Sequence, residues 1–265
     1  MAGQRERAGG LMPELLLELF SEEIPARMQA RAADDLRRLF EERLKAASLS
    51  FERIRAFVTP RRLTLVVDGL PLKQPDIREE KKGPRVGAPE PAIQGFLKSL
   101  GLSGLDQCEK RTVGKAEFWF AVTNRNGMPT ADVIRLLLPP TIWNLSWPKS
   151  MRWGSSRLTW VRPLSRVLCL FEGQTVNVQI QPSTSDDVAS FDDLLNLDLV
   201  DDNKRHELPV TDRTTGHRFM SGGEIAVTGF ADYARKLRER FVIVDQDERR
   251  ETIRKKTDEA ARAEG

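Results

Sequence analysis

The spacing of apolar residues near the start of the chain predicts a strand, a helix and a second strand. The mostly apolar segment Glu14–Phe20 (ELLLELF) predicts a short strand. Residues 25–49 repeat apolar side chains three and four positions apart, which predicts a helix with Pro25 in its first turn. Residues 57–70 (FVTPRRLTLVVDGL) predict a strand rich in β-branched side chains after a Thr-Pro turn. The apolar face of the helix comprises Met28, Ala32, Leu36, Leu39, Phe40, Leu44 and Ala47.

Proline and glycine divide the middle of the chain into shorter predicted elements. In order, these are a loop at Lys81–Pro91, a helix at Ala92–Leu100 closed by Gly101, a strand at Phe118–Thr123 leading into a tight turn at Asn126-Gly127, a helix at Ala131–Leu138 ending at Pro139-Pro140, and a hairpin of Val161–Phe171 with Thr175–Ile180.

The last part of the chain is predicted to be mainly helical. A helix at Ala231–Arg240 and a short strand at Phe241–Val244 precede a charged helix that is capped by Asp245 and runs to Ala263. Ile253 is its one large aliphatic residue, so we expect the packing partner of this helix to lie outside the sequence. The mixture of strands and helices predicts an α+β fold, as the N-terminal part of a larger multidomain chain.

Length and composition allow one large hydrophobic core or two modest ones. The chain has 265 residues, of which 40% are apolar and 31% charged, so it is too apolar to be disordered as a whole. We expect a disordered extension at residues 1–11, with Met12 as a plausible alternative start. An N-terminal α+β domain is predicted at residues 12–128 and a second α+β region at 129–265.

The net charge of +3 conceals a strong segregation of charge along the chain. Val133–Phe171 contains six Lys or Arg, no Asp or Glu, and four of the five tryptophans. Residues 183–203 contain seven Asp and no Lys or Arg, which predicts an Asp-rich surface loop at 183–205. A solvated surface without a special role mixes its charge signs, so the acid-free region is the first candidate for a binding function.

Cysteine usage and hydropathy bear on the cellular compartment. Cys108 and Cys169 are far apart and lack CxxC or Cys/His spacing, which argues for a reducing compartment and against a disulfide framework or a zinc site. No apolar run approaches the roughly 18 residues that a membrane span needs, and the N-terminal residues have no signal-peptide pattern. We therefore expect a cytoplasmic protein.

The basic, tryptophan-containing segment at residues 143–170 is open to two interpretations. Arginine and lysine neutralise phosphates and tryptophan stacks on bases, so this composition is typical of a nucleic-acid surface. Alternatively, Trp153 and Trp160 are core residues with arginine stems at their rim. We expect the segment to do both, packing through tryptophan and facing RNA or a partner protein through its Lys and Arg residues. Those residues are Lys149, Arg152, Arg157 and Arg162.

Other charged motifs are weaker candidates. Glu22-Glu23 is better explained by favourable first-turn charges than by acid–base catalysis. Arg61 and Arg62 alternate faces on a strand, so at most one of them faces a ligand. Lys81-Lys82 is either a solvated charge run or a phosphate contact. His217-Arg218 fits an ordering hydrogen bond or a phosphate contact better than a catalytic pair.

The sequence offers no recognisable catalytic chemistry of its own. It has two histidines and contains no Walker-type glycine loop, no Ser/His/Asp grouping and no metal-ligand spacing. We accordingly predict no catalytic, cofactor-binding or metal-binding residue in this chain.

Six short motifs together carry a resemblance to a known family. They are PELLLELFSEEIP, FVTPRRL, KKGP, MRWG, WVRP and GHRF, the last at Gly216–Phe219. In this order and separation they resemble the N-terminal portion of the β subunit of bacterial heterotetrameric glycyl-tRNA synthetase, from about Met12 to the end of the sequence. The chain departs from the family pattern twice: residues 183–205 look like an insertion, and Thr215 stands where the family usually has an arginine.

The resemblance implies a division of labour between subunits. In this family the α subunit holds the class II catalytic core, which activates glycine with ATP and magnesium. The β subunit binds tRNA, is required for the transfer of glycine to it, and continues for several hundred residues beyond the region matched here. The resemblance thus implies that this chain binds no cofactor itself and acts with the α subunit and tRNA in an α2β2 hetero-oligomer.

Two functions from different classes remain open on the sequence. The first is an RNA-binding, non-catalytic part of a glycine–tRNA ligase. The second is an interaction module whose basic face docks an acidic partner, such as the α subunit, without contacting RNA; a free-standing enzyme is a distant third. The predicted RNA-binding residues are Arg61, Arg62, Lys81, Lys82, Lys149, Arg152, Arg157, Arg162 and Arg218.

Overall fold

The computed structural model describes residues 13–114, 116–153, 158–178, 208 and 210–264. Its strands are β1 (Glu14–Ser21), β2 (Arg53–Thr59), β3 (Arg62–Asp68), β4 (Ile77–Arg85), β5 (Cys108–Val113), β6 (Ala116–Arg125), β7 (Leu164–Phe171), β8 (Gln174–Thr175), β9 (Val210–Thr211), β10 (Arg213–Thr215) and β11 (Glu224–Ala226). Its helices are α1 (Ala26–Ala46), α2 (Glu90–Leu100), α3 (Thr130–Trp143), α4 (Phe230–Glu239) and α5 (Gln246–Glu264). The predicted α+β class is confirmed. The predicted extension at 1–11, the Asp-rich loop at 183–205 and residues 179–180 of the predicted hairpin lie outside the described residues.

The described residues form two compact units, and the division differs from the predicted one. One unit contains the described residues up to Leu72 and from Pro129 onward, and the other is Lys73–Met128. The reason is strand pairing: β1 lies antiparallel between β3 and β7, which come from opposite sides of the Lys73–Met128 unit in the sequence. A boundary at residue 128 alone would divide this sheet.

A six-stranded sheet organises the larger unit. Its order is β2-β3-β1-β7-β8, with β9 pairing parallel to β7. The central strand β1 is buried along almost its whole length, as expected for a strand that is covered on both faces. Leu16 and Val66 pack in a cluster with Tyr233 and Leu237 of α4. Helix α1 packs on β2 and β3, and most of its predicted apolar face is buried.

Two elements of this unit differ from the sequence predictions. The predicted strand after the Thr-Pro turn is β3, but the residues before the turn form β2, so the pair is a hairpin closed at Pro60-Arg61. Helix α3 continues through Pro139-Pro140 to Trp143 instead of stopping. Burial of Ile142 and a hydrogen bond from Thr141 Oγ1 to the Leu137 carbonyl (2.6 Å) support the extra turn. Tertiary packing here outweighs the helix-breaking tendency of proline.

The hairpin predicted around Glu172-Gly173 is confirmed at its turn by the pairing of β7 with β8, but its second strand is shorter than predicted, because β8 ends at Thr175 and residues 176–178 are not in a strand. Glu172 and Gly173 both adopt positive φ angles of 51° and 72°. Two successive residues in the left-handed region form the turn whose twist suits a two-residue hairpin.

The Lys73–Met128 unit is a three-stranded antiparallel sheet, in the order β4-β6-β5, with helix α2. The prediction of a loop at Lys81–Pro91 is wrong over its first half, because Lys81 and Lys82 belong to β4 and pair with Ala121 and Phe120 of β6. Gly83-Pro84 misled the prediction. Strand β4 is an edge strand whose register shifts between Lys82 and Arg85, and proline is tolerated at such a position.

The C-terminal elements follow the prediction except for one strand. Asp245 caps α5, since its Oδ1 accepts hydrogen bonds from the backbone N–H groups of Asp247 (2.8 Å) and Glu248 (3.1 Å). The predicted strand at Phe241–Val244 is wrong: the segment is an irregular connection that starts at Phe241 with φ 64°. Val244 is buried in the cluster around Tyr233, so packing rather than strand pairing explains the apolar run.

Candidate nucleic-acid interface

In the segment between α3 and β7, the side chain of Trp160 packs in the core. Trp160 is 1% exposed, and its ring meets that of the half-buried Trp147 edge-on, with 5.0 Å between the centroids. The backbones of Met151 and Trp160 form a reciprocal pair of hydrogen bonds, of 2.7 and 3.1 Å, that folds the segment back on itself. Core packing is therefore confirmed for Trp160, whereas Trp153 is only half-buried.

Three basic side chains of this segment lie at the surface. Lys149, Arg152 and Arg162 are exposed, and none of them forms an ion pair or hydrogen bond with another described residue. Arg157, the fourth predicted cation of the segment, lies outside the described residues. Cations without an internal partner remain available to an external anion, and RNA phosphates are such anions.

A groove beside the first turns of α1 has three cations and no acid among its described lining residues. Its volume is about 300 Å³. Trp147 and Lys149 line one side, and Arg27 and Arg31 of α1 line the other. Arg27 has no ion-pair partner among the described residues, whereas Arg31 lies 3.5 Å from Asp35. The sequence analysis did not identify Arg27 and Arg31, although their spacing of four on a helix could have shown that they share a face.

A second groove, beyond the start of α1, has mixed charge. It is open, measures about 680 Å³, and includes Arg162, Arg218 and Glu22 in its lining. Arg218 Nη1 lies 3.0 Å from Glu22 Oε2, and Arg61 Nη2 lies 3.4 Å from Glu22 Oε1. Two of the predicted RNA-binding arginines are therefore held by an acid of the same chain. Glu22 forms ion pairs here, and the prediction that Glu22-Glu23 are first-turn charges is wrong, because α1 begins at Ala26 and has no acid in its first turn.

Arg62 is buried and belongs to a polar network inside the larger unit. Its Nε donates to Glu18 Oε2 at 3.0 Å, and Glu18 is itself fully buried. The hydroxyls of Tyr233 and Thr214 also donate to Glu18, at 2.6 and 2.7 Å. Burial, together with the neighbouring charge of Glu18, raises the pKa of Tyr233 well above its ordinary value. The prediction of Arg62 as an RNA contact does not fit this structure, because its guanidinium is enclosed and paired. The sequence feature that could have indicated this network is Glu18, an acid within a mostly apolar strand.

The same arginine holds the segment that precedes Arg218. Arg62 Nη2 donates to the carbonyls of Thr215 and Gly216. His217 then donates its backbone N–H to the Arg240 carbonyl (2.9 Å), while its Nδ1 accepts from the backbone N–H groups of Phe219 and Met220, both at 3.3 Å. These contacts agree with an ordering role for His217. In the turn formed by these hydrogen bonds, Phe219 is 84% exposed and Met220 is 58% exposed.

The lysine pair predicted to contact phosphate lies in the smaller unit. Lys81 and Lys82 are exposed on β4. Lys82 Nζ lies 3.7 Å from the centroid of the Phe118 ring, a cation–π geometry that keeps the charge at the surface. Both remain predicted phosphate contacts.

The described residues show no cluster of three or more His, Cys, Asp or Glu side chains able to hold a metal ion. Within the same residues, no helix has both the length and the apolar character needed to cross a bilayer. Burial raises the pKa of the Cys169 thiol to about 12, so this cysteine is unsuited to act as a nucleophile at neutral pH.

Comparison with known proteins gives a consistent result. The family model described as glycyl-tRNA synthetase beta subunit matches residues 15–265. A glycine–tRNA ligase beta subunit from Rhodospirillum centenum is 46% identical over 254 residues, which are 96% of this chain and 35% of the relative. The corresponding proteins of Dinoroseobacter shibae and Phenylobacterium zucineum are 48% and 44% identical, over 91% of this chain and 31% and 32% of their own lengths. The chain thus spans about a third of the length of the curated relatives it matches.

Proposed function

The chain belongs to the glycyl-tRNA synthetase β-subunit family, and on this premise we propose that it is a tRNA-binding, non-catalytic part of a cytoplasmic glycine–tRNA ligase. In this proposal the partner α subunit carries the class II catalytic core with its ATP and magnesium, and the two kinds of subunit form an α2β2 assembly. The chain contributes to the attachment of glycine by holding tRNA.

One observation carries the RNA-binding proposal: the chain exposes cations that it does not neutralise. Lys149, Arg152 and Arg162 are at the surface without a described partner. Many other surface arginines, such as Arg250 and Arg254, are paired with a nearby acid on their own helix. The difference supports a role for the unpaired residues in binding phosphate, which positions an RNA without reading its sequence.

A second candidate function, docking of the α subunit without RNA contact, is supported by a different feature. Phe219, Met220 and Phe241 are large apolar side chains that are 84%, 58% and 56% exposed. Their segments are joined by the hydrogen bond between His217 and Arg240. Exposed aromatic residues and methionine are enriched at protein interfaces.

The test compares two double variants that remove the same charge. Arg152→Ala with Arg162→Ala should weaken tRNA binding and reduce the slope of log affinity against log salt by about 1.5, because each lost phosphate contact removes roughly 0.7 to 0.9. Arg250→Ala with Arg254→Ala should leave both quantities unchanged, since those arginines are paired with acids. Fluorescence anisotropy with labelled tRNA measures both, and circular dichroism checks folding.

Unchanged affinity and slope in a folded Arg152/Arg162 variant would count against the proposal. Loss of the α subunit with RNA binding intact would favour the docking function instead.

A further inference from the structure

We propose that the groove between α1 and residues 146–149 is a subsite for one unpaired nucleotide of an RNA strand, with Arg27, Arg31 and Lys149 receiving phosphate and Trp147 receiving the base. This inference rests on the proposed function, because it specifies what the chain would hold in that groove.

The charge of the groove is the first argument. Three cations from two separate parts of the chain line it, and none of its described lining residues is an acid. Arg27 and Lys149 have no partner among the described residues, and Arg31 has a single one, Asp35, at 3.5 Å. The larger groove nearby differs in this respect, because Glu22 already occupies Arg61 and Arg218 there. Arg162 in the larger groove is also unpaired, but acids share that lining, whereas the described lining of the smaller groove combines three cations with no acid.

The aromatic side chain is the second, independent argument. Trp147 lines the groove while its ring packs edge-on against Trp160. This packing fixes the orientation of the indole and leaves it half-buried. A fixed indole beside cations is the arrangement on which single-stranded bases stack.

The size of the groove restricts the ligand. A volume of about 300 Å³ lies at the lower end of ligand pockets, so it accommodates a single small group. A base within a duplex is stacked between its neighbours and presents only its edges, whereas an unpaired base can be turned outward to stack on an aromatic ring. We therefore infer a preference for single-stranded RNA, such as a tRNA end or loop.

The phosphate part is tested with a charge-matched pair of double variants on the whole chain. The probe is a short, fluorescently labelled single-stranded RNA, and titrations are repeated over a range of salt. Arg27→Ala with Lys149→Ala should weaken binding and reduce the salt slope by about 1.4, from two contacts of roughly 0.7 each. Arg38→Ala with Lys45→Ala is the control, since both residues are exposed on α1 and paired with acids. Equal effects of the two variants would overturn the subsite.

The base part is tested with Trp147. Trp147→Leu should lower the affinity for the single-stranded probe about tenfold. The affinity for a blunt RNA duplex of the same length should hardly change, because only an unpaired base can stack on the indole ring. Trp147→Phe, which keeps an aromatic face and better preserves the contact with Trp160, should recover most of the affinity if stacking is the cause. A second readout, independent of folding changes, is ultraviolet crosslinking of the unmodified chain to the probe, with the crosslinked peptide expected to contain Trp147.

The outcomes separate this inference from the proposed function. If the Arg152/Arg162 variant weakens RNA binding while the Arg27/Lys149 and Trp147 variants do not, RNA binding stands and the subsite is wrong. If the unmodified chain binds no RNA, both are wrong. If the Arg27/Lys149 variant binds RNA normally but no longer retains the α subunit, the groove docks protein and the subsite is again wrong.

Discussion

At the scale of single residues, the structure separates arginines that organise the fold from arginines that face solvent. Arg62 and Arg61 are neighbours, yet Arg62 is enclosed with Glu18 while Arg61 lies in a turn beside Glu22. Alternation along a strand predicts different environments for the two, but this reason is wrong, because Arg61 lies in the turn before β3. The pairing of Arg62 with Glu18 cannot be predicted from local sequence, because the two residues meet only once β1 and β3 are paired.

Substitution of the buried Glu18 should lower the free energy of unfolding strongly, whereas substitution of Glu22 should change it little. Glu18→Gln leaves Arg62 as a buried, uncompensated charge, so the free energy of unfolding should fall by about 3 to 5 kcal/mol. Glu22→Gln, at a site 44% exposed, should change it by less than about 1 kcal/mol. Urea unfolding monitored by tryptophan fluorescence measures both. Similar values for the two variants would mean that the buried network does not stabilise the fold as described.

At the scale of elements, sequence periodicity located most helices but not every strand. Helix α1 and the capped helix α5 follow from apolar spacing and from Asp245. Strand β4 was missed because Gly83-Pro84 is typical of a loop, while the pairing with β6 that makes it a strand is a property of the fold. Proline at 139 and 140 misled the prediction of α3 for a similar reason. Tertiary packing decides these cases, and local sequence carries little trace of it.

Helix α5 should be the least stable of the helices in the larger unit. None of its residues is buried, and Ile253 is 61% exposed. Its attachment is confined to its beginning, where Gln246 and Arg249 bond to the backbone of β2. Hydrogen exchange followed by mass spectrometry should show rapid exchange after about Arg254 and strong protection in α1. Equal protection of the two helices would show that α5 has stabilising contacts along its whole length.

At the scale of the whole molecule, the family could be identified from sequence, while the division into units could not. Six motifs in order were sufficient for the family because they span most of the chain. The units depend on β1 pairing with strands that lie on both sides of Lys73–Met128. No local pattern reveals a pairing over that distance. The candidate interface was found in part: its exposed cations followed from charge segregation, whereas Arg27 and Arg31 became visible only when α1 and residues 146–149 were placed together.

The salt dependence of tRNA binding by the unmodified chain shows whether Lys149, Arg152 and Arg162 hold RNA through its phosphates. If Lys149, Arg152 and Arg162 each neutralise a phosphate, these three contacts should contribute about −2 to −3 to the slope of log affinity against log salt, at roughly 0.7 to 0.9 per contact, and contacts at Arg27 and Arg31 would make the slope steeper. Titration of labelled tRNA at several salt concentrations gives the slope. Absence of binding at low salt, or an affinity that does not change with salt, would contradict the account.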